Sequence, residues 1–140
     1  MYTDIKTEGE AAIGLLLCSA GSEEQSLSEA QIENISRILV MCSRFREQDI
    51  NAAFKKVYVI QQQSNRNDFI LYCAGLIKED LADTLFTMCC ETALLEGTWD
   101  ESFAGTLAII GIALQLPEED IKSFIRTYLI RFRWNIRAGN

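Results

Sequence analysis

An all-α, single-domain bundle of about seven helices, built around two pseudo-repeated helical hairpins, is the fold the sequence predicts. Three observations carry that expectation. A single proline and eight glycines leave long stretches of the 140 residues free of helix breakers. Apolar residues, the β-branched ones included, recur at spacings of three and four and do not alternate. With 49% hydrophobic residues and a mean hydropathy of +0.05, residues 1–140 form one domain's worth of chain, able to bury roughly two thirds of its unfolded surface.

The first helix is expected from Glu8 to Ala20. Thr7 and Glu10 have the capping-box spacing, and Ile13, Leu16, Leu17 and Ala20 form the buried stripe. The polar segment 21–26 reads as a loop. Ser28 and Gln31 repeat the capping-box spacing and open a second helix with Ile32, Ile35, Ile38, Leu39 and Cys42 on one face. After a link at 45–47, a third helix from about Gln48 carries Ile50, Ala53, Phe54, Val57 and Tyr58, then fades into the polar run QQQSNRN, read as a loop or frayed end. Asp68 favours the start of a short fourth helix with Phe69, Tyr72, Cys73 and Leu76. A fifth, from Glu79 to Glu96, sends Leu81, Leu85, Met88, Cys89 and Leu95 toward the core.

Gly97 then reads as a stop and Asp100 as a start, because glycine closes a helix in the left-handed conformation and aspartate accepts from the first-turn N–H groups. The sixth helix, with Phe103, Leu107, Ile110 and Leu114 among small residues, is apolar nearly all round, which predicts a place in the middle of the bundle. Pro117 suits the first position of a seventh, whose apolar face is Ile121, Phe124, Ile125, Tyr128, Leu129 and Phe132. The segments LCSAGSEEQSLSEAQIENISRIL and LLEGTWDESFAGTLAIIGIAL share the order helix, acidic loop, apolar helix, and so suggest two related hairpins.

Composition narrows the function classes. A net charge of −7 and a pI near 4.6 repel nucleic-acid phosphates and anionic lipid. No apolar run reaches the eighteen residues of a membrane span, and the amino-terminal MYTDIKTEGE is unlike a signal peptide, so a cytoplasmic protein is expected. The chain has no histidine, hence neither the commonest general base nor the commonest transition-metal ligand. Its five cysteines make no CxxC pair and read as small buried hydrophobes in a reducing compartment. No catalytic residue is identified.

The order of helices and acidic loops, ending in IIGIALQLPEEDIKSFI, resembles the TerB-like family of tellurite-resistance proteins over about Glu8 to Tyr128. The resemblance implies a stress or metal-response setting. It also implies that acidic loops of the form Asp-Gly-x-x-Ser-x-x-Glu hold a divalent cation. At those positions this chain offers Glu24, Gln25, Ser28 and Gln31 in the first half and Glu96, Gly97, Asp100 and Phe103 in the second. Both closing carboxylates are therefore replaced, one by an amide and one by an aromatic ring.

Three function classes follow. The leading one is a non-enzymatic helical module that presents a surface to protein partners, with Trp99 in the acidic corner and Arg131, Arg133, Trp134 and Arg137 near the carboxy terminus as contact residues, since Trp and Arg are enriched at interface hot spots. The second needs no resident cofactor beyond a weakly bound divalent cation, held by Glu24, Glu96 and Asp100. The third is thiol redox chemistry at the vicinal Cys89 and Cys90. A homo-oligomer is compatible with each.

Overall fold

The computed structural model of the chain describes residues 1–21, 28–46, 48–95 and 97–138, with only the backbone at 98, 137 and 138. Among the described residues there are seven α-helices: α1 (Glu8–Ala20), α2 (Glu29–Val40), α3 (Ile50–Gln63), α4 (Arg66–Gly75), α5 (Ala82–Leu94), α6 (Glu101–Ala113) and α7 (Glu118–Arg131). Between them lie short 3-10 turns, and two two-residue strands, β1 (Thr98–Trp99) and β2 (Arg137–Ala138), pair in parallel. The all-α bundle expected from the sequence is the fold observed. No helix in the described residues is long and apolar enough to cross a membrane.

Local chemistry sets the helix starts. The Thr7 hydroxyl accepts from the Glu10 N–H at 3.1 Å while the Glu10 carboxylate accepts from the Thr7 N–H, and Ser28 with Gln31 forms the same reciprocal pair. Asp49, Asn65 and Asp100 cap α3, α4 and α6 through their side chains. Asn65 moves the start of α4 to Arg66, ahead of the Asp68 expected. The polar run at 61–63 is the last turn of α3 and not a loop, because Ile60 is buried and only the glutamine side chains face water. Residues 79–81 form a 3-10 turn before α5, and Pro117 sits just before the first turn of α7, not within it.

The hub of the bundle is α1. Every residue from Ala11 to Ala20 is buried, and α3, α4, α5 and α6 all pack on it. Approach is close at Gly14, where a Cβ would lie 2.9 Å from the Phe69 ring and 3.0 Å from the Cys73 sulfur. Polar ties secure its ends. Arg44 bridges Glu8 at 2.9 Å and Asp80 at 3.0 Å, and Lys56 pairs with Glu10 at 2.8 Å. Arg66 reaches from α4 to the Cys18 carbonyl and the Thr106 hydroxyl.

The central position expected for the sixth helix is corrected. Helix α6 lies at the surface, burying Thr106, Leu107, Ile110 and Gly111 while Gly105, Ile109 and Ile112 face outward. The misreading has a physical reason: apolarity all round a helix reports that no face repels a neighbour, not that neighbours exist on every side. Its carboxy end turns through Gln115, which has φ 61°, and the Gln115 and Leu116 N–H groups bond back to the Ile112 and Gly111 carbonyls. That is a Schellman closure with a side-chain-bearing residue in the left-handed seat.

Candidate interaction surface

The carboxy-terminal arm builds this surface. Helix α7 turns Ile121, Phe124, Ile125 and Tyr128 toward the core, with Phe124 tilted on Phe86 at 6.2 Å and Tyr128 stacked on Phe132 at 6.3 Å. After Arg131 the helix ends in turns, the Asn135 and Ile136 N–H groups bonding back to the Phe132 carbonyl. The chain then runs beside the corner between α5 and α6. Thr98 pairs with Arg137 and Trp99 with Ala138. The close fit needs Gly97, whose φ of 80° is the left-handed region and whose Cβ position lies 3.1 Å from the Asn135 carbonyl oxygen.

This parallel pairing joins the two contact patches that the sequence placed 30 or more residues apart. Trp99, expected as a contact residue of the acidic corner, is half-buried and packs on the core. Trp134 is 94% exposed, and Ile130, one turn earlier on the outer side of α7, is 51% exposed. Arg131 and Arg133 are exposed, and Arg131 lies 6.0 Å from the centre of the Phe132 ring, a spacing at which a guanidinium is attracted to an aromatic face. Neither arginine pairs with a carboxylate among the described residues. Arg137 contributes backbone to the strand pair, and its side chain lies outside the described residues, as do Glu24 and Glu96.

Charge is unevenly distributed along the chain. Residues 121–140 hold five of the thirteen Lys and Arg and none of the twenty Asp and Glu, so this arm carries +5 and the preceding 120 residues carry −12. Ile130 escaped the sequence reading because it lies off the buried stripe of α7. The signal was the offset pair Ile130 and Trp134 four apart, on the side opposite Ile121, Ile125 and Tyr128.

Of the cation set, Asp100 alone is described, and its Oδ1 accepts from the Phe103 N–H at 3.1 Å as the cap of α6. Gln31, at the position of the closing carboxylate in the loop form that the TerB-like resemblance implies, uses its amide to donate to the Ala20 carbonyl at 2.9 Å. A carboxylate has no hydrogen to make that bond. Among the described residues no group of three or more Cys, Asp or Glu could hold a metal ion.

The vicinal thiols sit in the middle of α5, both buried. Burial pushes the Cys89 thiol up to about 12 even with the Ser19 hydroxyl beside it, and burial likewise raises Cys90, with the neighbouring Cys89 adding to the shift. A nucleophilic thiol needs the opposite environment.

A groove of about 430 Å³ runs between α6 and α7, lined by the apolar Ala108, Ile112, Leu116, Ile121 and Ile125 and by the polar Gln115, Glu118 and Lys122. A second cleft of about 490 Å³, near Gly75 and Leu114, is edged by Glu79, Asp83 and Asp120. Comparison with family models, with curated proteins and with solved structures gives no match to this chain.

Proposed function

We propose that the protein is a non-enzymatic, cytoplasmic helical module that binds a protein partner through its carboxy-terminal arm. The carrying observation is Trp134, 94% exposed, in one short stretch with the exposed Arg131 and Arg133, which pair with no carboxylate among the described residues, and with the half-exposed Ile130. A ring so open contributes nothing to the fold, whereas an indole flanked by arginines is the composition of an interface hot spot. The +5 arm on an otherwise acidic chain favours an acidic partner segment that carries an aliphatic or aromatic anchor. The stress or metal-response setting rests on the TerB-like resemblance.

Thiol chemistry is the weaker alternative, because Cys89 and Cys90 are buried in mid-helix with raised pKa values. Cation binding lacks a described ligand set around Asp100.

A photo-crosslinking residue placed at 134 in living cells should capture a defined acidic protein, and Arg131→Glu with Arg133→Glu should abolish the capture. The same residue at exposed Asn67 is the control. Identical captures from both positions, or capture that survives the double charge reversal, would overturn the reading.

A further inference from the structure

Helix α7 is held to the bundle over its first three turns and barely beyond. Ile121 is buried, and Phe124, Ile125 and Tyr128 pack on the core. No described side chain after Tyr128 is buried or joins that packing. Leu129 and Phe132, expected on the same apolar face, are half-buried and lie outside the core contacts.

The hydrogen bonds of this last stretch are local. The Phe132 N–H donates to the Tyr128 carbonyl at 2.9 Å and the Arg133 N–H to the Ile130 carbonyl at 3.3 Å. Those of Asn135 and Ile136 donate to the Phe132 carbonyl at 2.9 and 3.1 Å. Among the described residues, no side chain of 129–136 makes a hydrogen bond or an ion pair with the rest of the molecule. The fastening is the backbone pair of β2 with β1, Arg137 beside Thr98 and Ala138 beside Trp99.

The two sides of that pair are held very differently. On the corner side, Gly97 is buried, its N–H bonds to the Leu94 carbonyl at 3.1 Å, and Trp99 packs on the core. On the arm side, two paired residues stand alone, and so short a ladder is marginal without packing behind it. Stretches with few buried apolar contacts and backbone bonds open to water detach at free energies far below that of global unfolding.

We propose that residues 132–138 are a clasp that closes on the α5–α6 corner and opens from it while the helical bundle stays folded. Taking the arm as the binding surface proposed above, that surface is whole only when the clasp is closed. Closed, the strand pair fixes Arg133 and Trp134 beside Arg131 and Ile130. Open, the same side chains ride on a loose chain end, and ordering them opposes binding. Affinity then falls in proportion to the closed fraction, and a bound partner holds the clasp shut.

Gly97 sets the fit, because two requirements meet at one residue. Its φ of 80° closes α5, a seat that asparagine also tolerates. Its missing Cβ leaves room for the Asn135 carbonyl oxygen, which would lie 3.1 Å from that atom. Gly97→Asn separates the two, keeping the helix end and crowding the clasp. Were Gly97 needed only to close α5, the substitution would change little.

Amide exchange on the intact wild-type chain reads the motion without a partner. Amides of 135–138 should exchange more slowly than in an unstructured peptide and faster than those of α1, at a rate that low urea leaves unchanged, since local opening exposes little surface. Gly97→Asn should speed them further, with the helical circular dichroism and melting midpoint retained. Photo-capture from position 134 of the purified chain in cell extract should fall in the same variant. A disulfide between the thiols of Thr98→Cys and Arg137→Cys, which pair in register, should restore capture to the level of Arg137→Cys alone, and reducing it should undo the rescue. Arm amides that open only with the bundle, arm amides with no protection, or Gly97→Asn without effect on them would overturn the clasp. Capture undiminished in a Gly97→Asn chain whose arm amides exchange faster would also overturn it, leaving the arm as the binding surface. Exchange as expected with no specific capture from 134 would count against the binding surface and not against the motion.

Discussion

The side-chain amide of Gln31 spans from the first turn of α2 to the Ala20 carbonyl at the end of α1, at 2.9 Å, while its oxygen accepts from the Ser28 N–H at 2.7 Å. One residue thus completes a capping box and fastens two helices. Gln31→Glu keeps the first bond and loses the second, leaving a carboxylate facing a carbonyl. Urea denaturation should show a loss of about 1 kcal/mol, the scale of a net hydrogen bond with a partner left unsatisfied and part of the cost offset by the helix dipole.

Gln115 occupies a left-handed seat at φ 61° in the closure of α6. Gln115→Gly should raise stability by about 1 kcal/mol, because the steric penalty of a Cβ in that region disappears. A thermal melt of the variant at low protein concentration, against the wild type, reads the effect.

Acid sensitivity should trace in part to Glu10. Burial works against its ionisation, but hydrogen bonds from Lys56 and from the Lys6 and Thr7 N–H groups outweigh it, so the carboxyl lies below its ordinary value of 4.5. A lowered folded-state pKa contributes stability that is whole above the unfolded value and is lost as pH falls through the folded one. Unfolding free energy should therefore decline below about pH 4.5, and Glu10→Gln, less stable at neutral pH, should decline less steeply.

The five thiols should differ in reactivity. Cys42 is half-buried, while Cys18, Cys73, Cys89 and Cys90 are buried, so a thiol reagent at neutral pH should modify Cys42 first and the other four only as the protein unfolds. Mass mapping of the labelled peptides checks this. Rapid labelling of Cys89 or Cys90 in the native protein would return thiol chemistry to consideration.

Much of the fold was legible because its signals are local. Thr7 with Glu10 and Ser28 with Gln31 announced α1 and α2, and Gly97 with Asp100 announced the α5–α6 corner, each through bonds spanning a few residues. The long-range relations were not legible. Nothing near Trp99 signals that Ala138 will pair beside it, and so the corner and the tail read as separate patches. Neighbour number was equally hidden: α1 and α6 have similar apolar content, yet one is enclosed and the other faces water. The closure at Gln115 went unread because the seat carries no glycine or asparagine.

The hub also sets an order of events during synthesis. Helix α1 leaves the ribosome before the elements that enclose it, since α3, α4, α5 and α6 begin at residues 50, 66, 82 and 101. A ten-residue stretch from Ala11 to Ala20 must therefore wait, greasy on every side, while most of the remaining polypeptide is translated. Chaperones that recognise nascent chains should engage this segment, and truncations ending before α5 should aggregate where the whole chain stays in solution.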